Sequence, residues 1–193
     1  MVRKNSDDRP HASTTAASAR EPLDDAAFDA LFRQCARDVH GYAISLLGDR
    51  SAAEDVTALA FERLYRSRAR LDPRRGTPRA WLFAIARNAA LDELRRRRRR
   101  PSCQLDQARG EDEDRHAGEP YEQVERRATV RDALAVLPLR ERELVLLKFH
   151  GQLSHGELAR ALGISESNAA TRLHRALTRL RTHCQERERK EVA

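Results

Sequence analysis

Cysteine is scarce in this 193-residue chain: Cys35, Cys103 and Cys184 are odd in number, far apart and without a Cys-x-x-Cys pair. That spacing excludes a disulfide framework and a thiol-built structural zinc site. Long apolar runs are lacking as well, and none approaches the length a bilayer span requires. Residues 1–20 are polar and rich in Ala and Ser, without the apolar stretch of a secretory signal. The expected compartment is the cytoplasm, with no stable membrane insertion. No segment reads as a β-strand. No nucleophile–base pair, metal-ligand set or phosphate-cradling Gly loop stands out, so no catalytic residue, cofactor or metal is expected. Lysine is almost missing among the basic residues, nearly all of which are Arg.

What is present is charge and helical periodicity. Lys and Arg number 37 against 30 Asp and Glu, a formal net charge of +7. A basic balance suits a partner with a phosphate backbone, and it equally suits solubility. Arg forks onto phosphates and guanine edges better than Lys. GC-rich codon usage would also enrich Arg and Ala together, so composition alone leaves both readings open.

Residues 1–22 are charged, small and aperiodic, and are expected to form a disordered tail. From Asp24, apolar residues recur at three- and four-residue steps: Phe28, Leu31, Phe32, Cys35, Val39, Tyr42, Leu46 and Leu47. Gly48-Asp49 ends that helix. Ser51 and Glu54 have the spacing of a capping box for the next, which carries Val56, Leu59, Ala60, Phe61 and Leu64. A polar loop, 71–76, leads to Thr77-Pro78, an N-cap followed by proline at the first helical position. The helix after it runs through Trp81, Leu82, Ile85, Ala89 and Leu94 into the arginine run Arg95–Arg100. Residues 101–120 read as a flexible acidic linker. Helical pattern resumes at Tyr121, breaks at Pro138 and continues over 139–150.

Then comes the densest signal. Ser154 and Glu157 form a capping box, Gly163 stands where the chain must turn sharply, and Ser165 can cap the following helix. Ala159 is small where two crossing helices come closest. This is a helix-turn-helix, whose second helix commonly lies in the DNA major groove. That helix is expected from Glu166 to about Cys184, with 185–193 a fraying charged tail. The fold class follows: all-α, two small helical domains (23–100 and 121–184) joined by a flexible linker, the C-terminal one a helix-turn-helix.

Both halves resemble one family. Leu47-Gly48-Asp49, Ala53-Glu54-Asp55-Val56-Thr57 with Phe61, and the stretch Ala80-Trp81-Leu82-Phe83-Ala84-Ile85-Ala86-Arg87-Asn88-Ala89-Ala90-Leu91-Asp92 resemble the first domain of bacterial RNA polymerase sigma factors. Leu137-Pro138, Arg140–Glu143, Gly151, Glu157-Leu158-Ala159, Leu162-Gly163-Ile164-Ser165 and Arg172-Leu173-His174-Arg175-Ala176 resemble the second. Their order and separation resemble the compact extracytoplasmic-function group of the sigma-70 family. Two departures stand out: Ala58-Leu59 where members often carry Gln and Glu, and Ser167-Asn168-Ala169 where the recognition helix often opens with Gly-Thr-Val.

The resemblance implies binding without catalysis. The partners it implies are core RNA polymerase (β′ clamp helices and β flap) and promoter DNA, and it admits an anti-sigma factor. It implies that Ser167, Asn168, Ala170, Thr171, Arg172, His174 and Arg175 read the −35 element. Arg87, Asn88, Asp92, Arg95 and Arg96 would hold the melted −10 element. Glu54, Asp55, Thr57, Ala58 and Phe61 would dock the polymerase. Blander readings stand beside these. The arginines could be a solvated face, Asn88 could tie its helix to the 71–77 loop, and Glu54 and Asp55 could simply favour a helix N-terminus. Trp81, Leu173, Ala176, Leu177 and Leu180 read as core. The acidic cluster Glu111–Asp114 would keep the linker off DNA. The alternative function is a stand-alone helix-turn-helix regulator. A recombinase would need a mixed α/β catalytic domain, which 23–100 does not resemble.

Overall fold

Helix starts and stops follow local chemistry in the computed structural model, which describes residues 23–99 and 129–192. Helix α1 (Asp25–Leu47) begins where Asp24 accepts from the Ala27 amide at 2.7 Å. It ends at Gly48, which takes a left-handed φ of 67° and donates to the Ile44 carbonyl. The next residue already caps α2 (Arg50–Ser67): the Asp49 carboxylate accepts from the Ala52 amide at 2.9 Å. The expected Ser51–Glu54 box is therefore replaced by an Asp49 cap one residue upstream of Arg50, and Glu54 pairs with Arg50 instead. The 71–76 segment contains a 3₁₀ turn, Pro73–Arg75. Thr77 accepts from the Ala80 amide, and α3 (Pro78–Arg99) opens on Pro78 as the sequence predicts.

These three helices pack on one another around Cys35, Val39, Tyr42, Leu64, Leu82 and Phe83, all essentially buried. Phe83 meets Tyr42 edge-on. Trp81, Leu177 and Leu180 pack half-buried against one apolar cluster that runs through both units.

The second unit holds α4 (helical over 129–135), α5 (Leu139–Phe149), α6 (His155–Leu162) and α7 (Glu166–Val192). Arg142 of α5 reaches back to the carbonyls of Leu134, Ala135 and Leu137, satisfying acceptors at and just past the C-terminal end of α4. Gly151 closes the turn after α5, because a Cβ there would stand 2.4 Å from the Leu147 carbonyl oxygen. The Ser154–Glu157 capping box is formed in both directions. Gly163 takes φ 66°, and Ser165 accepts from the Asn168 amide. Leu144, Leu147, Leu153, Leu158, Ala169, Leu173 and Ala176 are the buried side.

One expectation fails here. The expected fraying tail, 185–193, is helical over its described part: α7 continues to Val192. Its sequence alternates acidic and basic residues with good helix formers, which favours continuation. The two units touch one another: α5 packs on α1 and α6 on α3. The tail 1–22, the linker 101–120 with its acidic cluster, Arg100 and Cys103 lie outside the described residues. Among the described residues there is no strand, and no helix is long and apolar enough to cross a membrane.

Candidate nucleic-acid interface

The helix-turn-helix turn sets the register of α7. With Ala169, Leu173 and Ala176 buried, Ser167, Asn168, Thr171, Arg172, His174 and Arg175 are all exposed, and Ala170 is half-buried at the edge of that face. The Thr171 hydroxyl donates to the Ser167 carbonyl. The guanidinium groups of Arg172 and Arg175 make no hydrogen bond or ion pair among the described residues. Arg179 differs, since it pairs with Glu141 of α5 at 3.0 Å and so braces the unit. The first turns of α7 thus present free donors on one side of a rigid helix, the geometry a major groove admits.

On α3 the five sequence-predicted residues separate. Asn88 and Asp92 are exposed, four residues apart. Among the described residues the Asn88 side chain accepts only from neighbouring Arg87, at 3.3 Å, so it does not tie α3 to the 71–77 loop. Arg95 and Arg96 are exposed but paired within the helix, to Asp92 and Glu93, both at 2.7 Å. Arg96 and Arg97 together hold the Glu93 carboxyl below the usual carboxylate range, against a smaller opposing effect of burial. Arg97 turns inward and donates to Asp49 and Glu93 at 2.8 Å. It pins the end of α3 to the α1–α2 turn. Phe83, on the opposite side of α3, is buried.

Arg87 is the departure. Its guanidinium is turned into Glu143 of α5, the one buried charged side chain among the described residues. Beside the pair lies the hydroxyl of Tyr42, buried and without a hydrogen-bond partner among the described residues; burial chiefly, and the Glu143 charge next, push its pKa up.

The predicted docking face on α2 also splits. Glu54, Asp55 and Ala58 are exposed. Thr57 spends its hydroxyl on the Ala53 carbonyl at 2.7 Å. Phe61 corrects the expectation: it is buried, its ring edge-on to Phe28 and Phe32, and the exposed ring on that side is Phe32. Asp55, Val56 and Leu59 share a shallow cavity with Asp92 and Arg96, so the predicted docking and −10 faces adjoin.

The contacts between units escaped the sequence entirely. Arg79 fills every guanidinium nitrogen: Nε donates to the Gly151 carbonyl, Nη1 to Cys35 Sγ, and Nη2 to Asp38 and the His150 carbonyl. The Thr77 hydroxyl donates to Glu157 at 2.7 Å, and Arg160 donates to the Arg75 carbonyl. No spacing rule pairs residues so far apart. Among the described residues no His, Cys, Asp and Glu group could hold a metal.

Comparison with known proteins places both halves. Residues 31–100 match the Sigma-70 region 2 model and residues 127–180 the Sigma-70, region 4 model. The chain is 33% identical over 164 residues to the ECF RNA polymerase sigma factor RpoE of Cereibacter sphaeroides, covering 85% of this chain and 90% of that one. It is 32% identical over 157 residues to the ECF RNA polymerase sigma factor SigL of Mycobacterium tuberculosis, covering 81% and 88%. In fold it is similar to CnrH in complex with the cytosolic domain of CnrY (TM-score 0.63, 23% identity, 84% of this chain and 90% of that one). It is also similar to the sigma factor RpoE in complex with the anti-sigma factor NepR from Bartonella quintana (TM-score 0.61, 19% identity, 82% and 96%).

Proposed function

The chain belongs to the extracytoplasmic-function group of the sigma-70 family, and from that premise we propose how its two helical units divide promoter recognition. It is a promoter-recognising sigma factor that binds core RNA polymerase and promoter DNA. The finer assignment is that residues 121–184 form the −35 reader and 23–100 the −10 and polymerase-docking unit, with 101–120 as linker.

In the reader, Ser167, Asn168, Ala170 and Thr171 meet base edges with His174, while Arg172 and Arg175 meet phosphate or bases. The observation that carries this is the free, exposed row on α7 behind the Gly163 turn. In the first unit, Asn88 and Asp92 with Arg87, Arg95 and Arg96 hold the melted −10 strand, Asn88 pairing with a base edge and the arginines with phosphate. Glu54, Asp55, Thr57 and Ala58 form the acidic docking face for polymerase. Phe61 supports that face from beneath, and Phe32 supplies its exposed ring. The chain acts in the cytoplasm, by binding alone, without a catalytic step of its own. An anti-sigma protein is a further proposed partner, on the fold likeness to the RpoE–NepR complex.

The deciding experiment is transcription of genomic DNA by purified core polymerase with and without the chain. Promoter-specific transcripts only in its presence are the expected result. Tight, specific binding of promoter duplex by the chain alone, with no transcript, would instead assign it to the stand-alone regulators.

A further inference from the structure

The recognition helix departs from its family at Ser167-Asn168-Ala169, and the structure divides those three residues. Ala169 is fully buried, so it belongs to the core and cannot meet DNA. Ser167 and Asn168 are exposed. Asparagine this close to a helix start is commonly spent on capping, its side chain bonded to a nearby backbone amide. Here Ser165 does that instead: its hydroxyl accepts from the Asn168 backbone amide at 3.3 Å. The Asn168 side chain, with one carbonyl acceptor and two N–H donors, has no partner among the described residues.

Thr171 follows three residues on, on the same face of α7. With Ala169, Leu173 and Ala176 buried, a helical turn of about 3.6 residues places Thr171 nearly opposite them, at the outermost part of the exposed side. Its hydroxyl donates to the Ser167 carbonyl at 2.9 Å. A hydroxyl whose proton is committed can only accept, so it has nothing to give to guanine O6 and N7 or to thymine O4. Besides that oxygen, the exposed side chain offers only a methyl group.

We infer what this pair reads, resting on the assignment of α7 to the −35 duplex: Asn168 takes an adenine, its amide pairing with N6 and N7 in the major groove, and the Thr171 methyl packs on the C5-methyl of a thymine at a neighbouring base pair. The adenine edge presents one donor beside one acceptor, which an amide matches in both directions. Guanine presents two acceptors there and would set O6 against the amide carbonyl. The thymine methyl is the one apolar group in the groove, and packing on it costs the Thr171 hydroxyl none of its bond to Ser167. Three residues of helix rise about 4.5 Å, close to the step of about 3.4 Å between base pairs, so the two side chains fall on adjacent steps. The promoter preference of this chain thus turns on Asn168, one of the two exposed residues by which its helix opening departs from the family pattern.

The test uses core polymerase with the full chain and a pool of templates in which the −35 segment of one responsive promoter is randomised. Sequencing the transcribed templates gives a preference at each position. Wild type should show an adenine position with a thymine position beside it. Asn168→Ala should erase the adenine preference, worth about tenfold for a bidentate contact, and leave the other positions as they were. Thr171→Val keeps the methyl and loses the hydroxyl, so it should retain thymine. Thr171→Ser keeps the hydroxyl and loses the methyl, so its thymine preference should fall about fourfold. Both side chains are exposed, and the helicity and melting temperature of the variants should stay near wild type. An adenine preference that is absent or survives Asn168→Ala, or a loss spread equally over every template, would overturn the adenine assignment. A preference kept by Thr171→Ser and lost by Thr171→Val would give that position to the hydroxyl, accepting from a base amino group. That order, or any other than the expected one, would overturn the thymine assignment. A flat profile from a chain that does direct promoter-specific transcription would overturn this inference alone, whereas no promoter-specific transcript from any genomic DNA would overturn the assignment of function.

Discussion

Arg87 and Glu143 stand 56 positions apart in the chain and meet as an ion pair between α3 and α5. The two ends are unequally wet: the Glu143 side chain is 4% exposed and that of Arg87 19%. Removing Arg87 strands a buried carboxylate. Removing Glu143 leaves a guanidinium that reaches water and still has Asn88 beside it.

Arg87→Ala should therefore destabilise the folded chain more than Glu143→Ala does. The expected loss is up to about 3–5 kcal/mol for the first and about 1–3 kcal/mol for the second. Urea midpoints of the two variants check the order, and the reverse order would show that Glu143 is not buried in solution.

On α7 the prediction concerns salt. Arg172→Ala combined with Arg175→Ala should weaken promoter binding by the polymerase complex. It should also lower the slope of log affinity against log salt by about 2 if both side chains meet phosphate. An unchanged slope would assign both to solvent, which their lack of protein partners also permits.

The turn between α6 and α7 isolates a pure backbone effect. Gly163 has nothing within 4 Å of a built Cβ, yet its φ is 66°. Gly163→Ala should cost about 1–2 kcal/mol from the left-handed conformation alone. Gly151→Ala should cost more, since its Cβ would press on the Leu147 carbonyl at 2.4 Å and on Leu153 at 3.0 Å. Thermal melts of the two variants give the comparison.

These glycines, like the caps, were readable from sequence because their physics is local. Gly48, Thr77-Pro78, Ser154–Glu157, Gly163 and Ser165 each act within four residues of themselves, and each stands where the pattern put it. The register of α7 was readable for the same reason: one buried side fixes the other. Asp49 displaced Ser51 as the cap of α2 because two polar residues near a helix start compete for the same amides. Arg79, Gly41 and Glu143 were not readable. Their partners lie on the other unit, and no period of 3.6 residues encodes a contact across some 56 to 109 positions. Phe61 was misread because an apolar residue beside two acids fits a docking face and a core equally well until α1 is placed over it.

The arginine run shows the same limit and yields a test. The sequence reads 95–100 as one patch of positive charge, but among the described residues of the run Arg97 alone points inward, to Asp49 and Glu93. Arg97→Ala should cost about 1–3 kcal/mol by releasing charged hydrogen bonds. Arg98→Ala, exposed and without a partner among the described residues, should stay within about 0.5 kcal/mol. Equal losses would mean the end of α3 is not pinned to the α1–α2 turn.

The contacts between the units should also respond to pH, in two separable steps. Burial pushes the His150 imidazole below its ordinary value, and the Asp38 charge from α1 only partly opposes this. From α3, the Arg79 guanidinium bonds both Asp38 and the His150 carbonyl, adding positive charge to the same corner. A histidine depressed in the folded state supports it fully above its unfolded value, about 6.5. That support is lost as pH falls through the folded value, because the unfolded chain then binds the proton more readily. Glu157 follows lower down. Burial pushes its carboxyl up, but hydrogen bonds from the Ser154 amide, the Thr77 hydroxyl and the Ser154 hydroxyl outweigh this and hold it below the usual range. Its contribution is intact above the unfolded carboxylate value, about 4.3, and disappears as pH falls through the folded one. Stability followed by thermal melts should thus fall first below about pH 6.5 and again below about pH 4.3. His150→Gln should erase the first step and keep the second, and Glu157→Gln the converse. A first step that survives His150→Gln would place its origin in another histidine and leave the His150 ring hydrated rather than seated against Gly41.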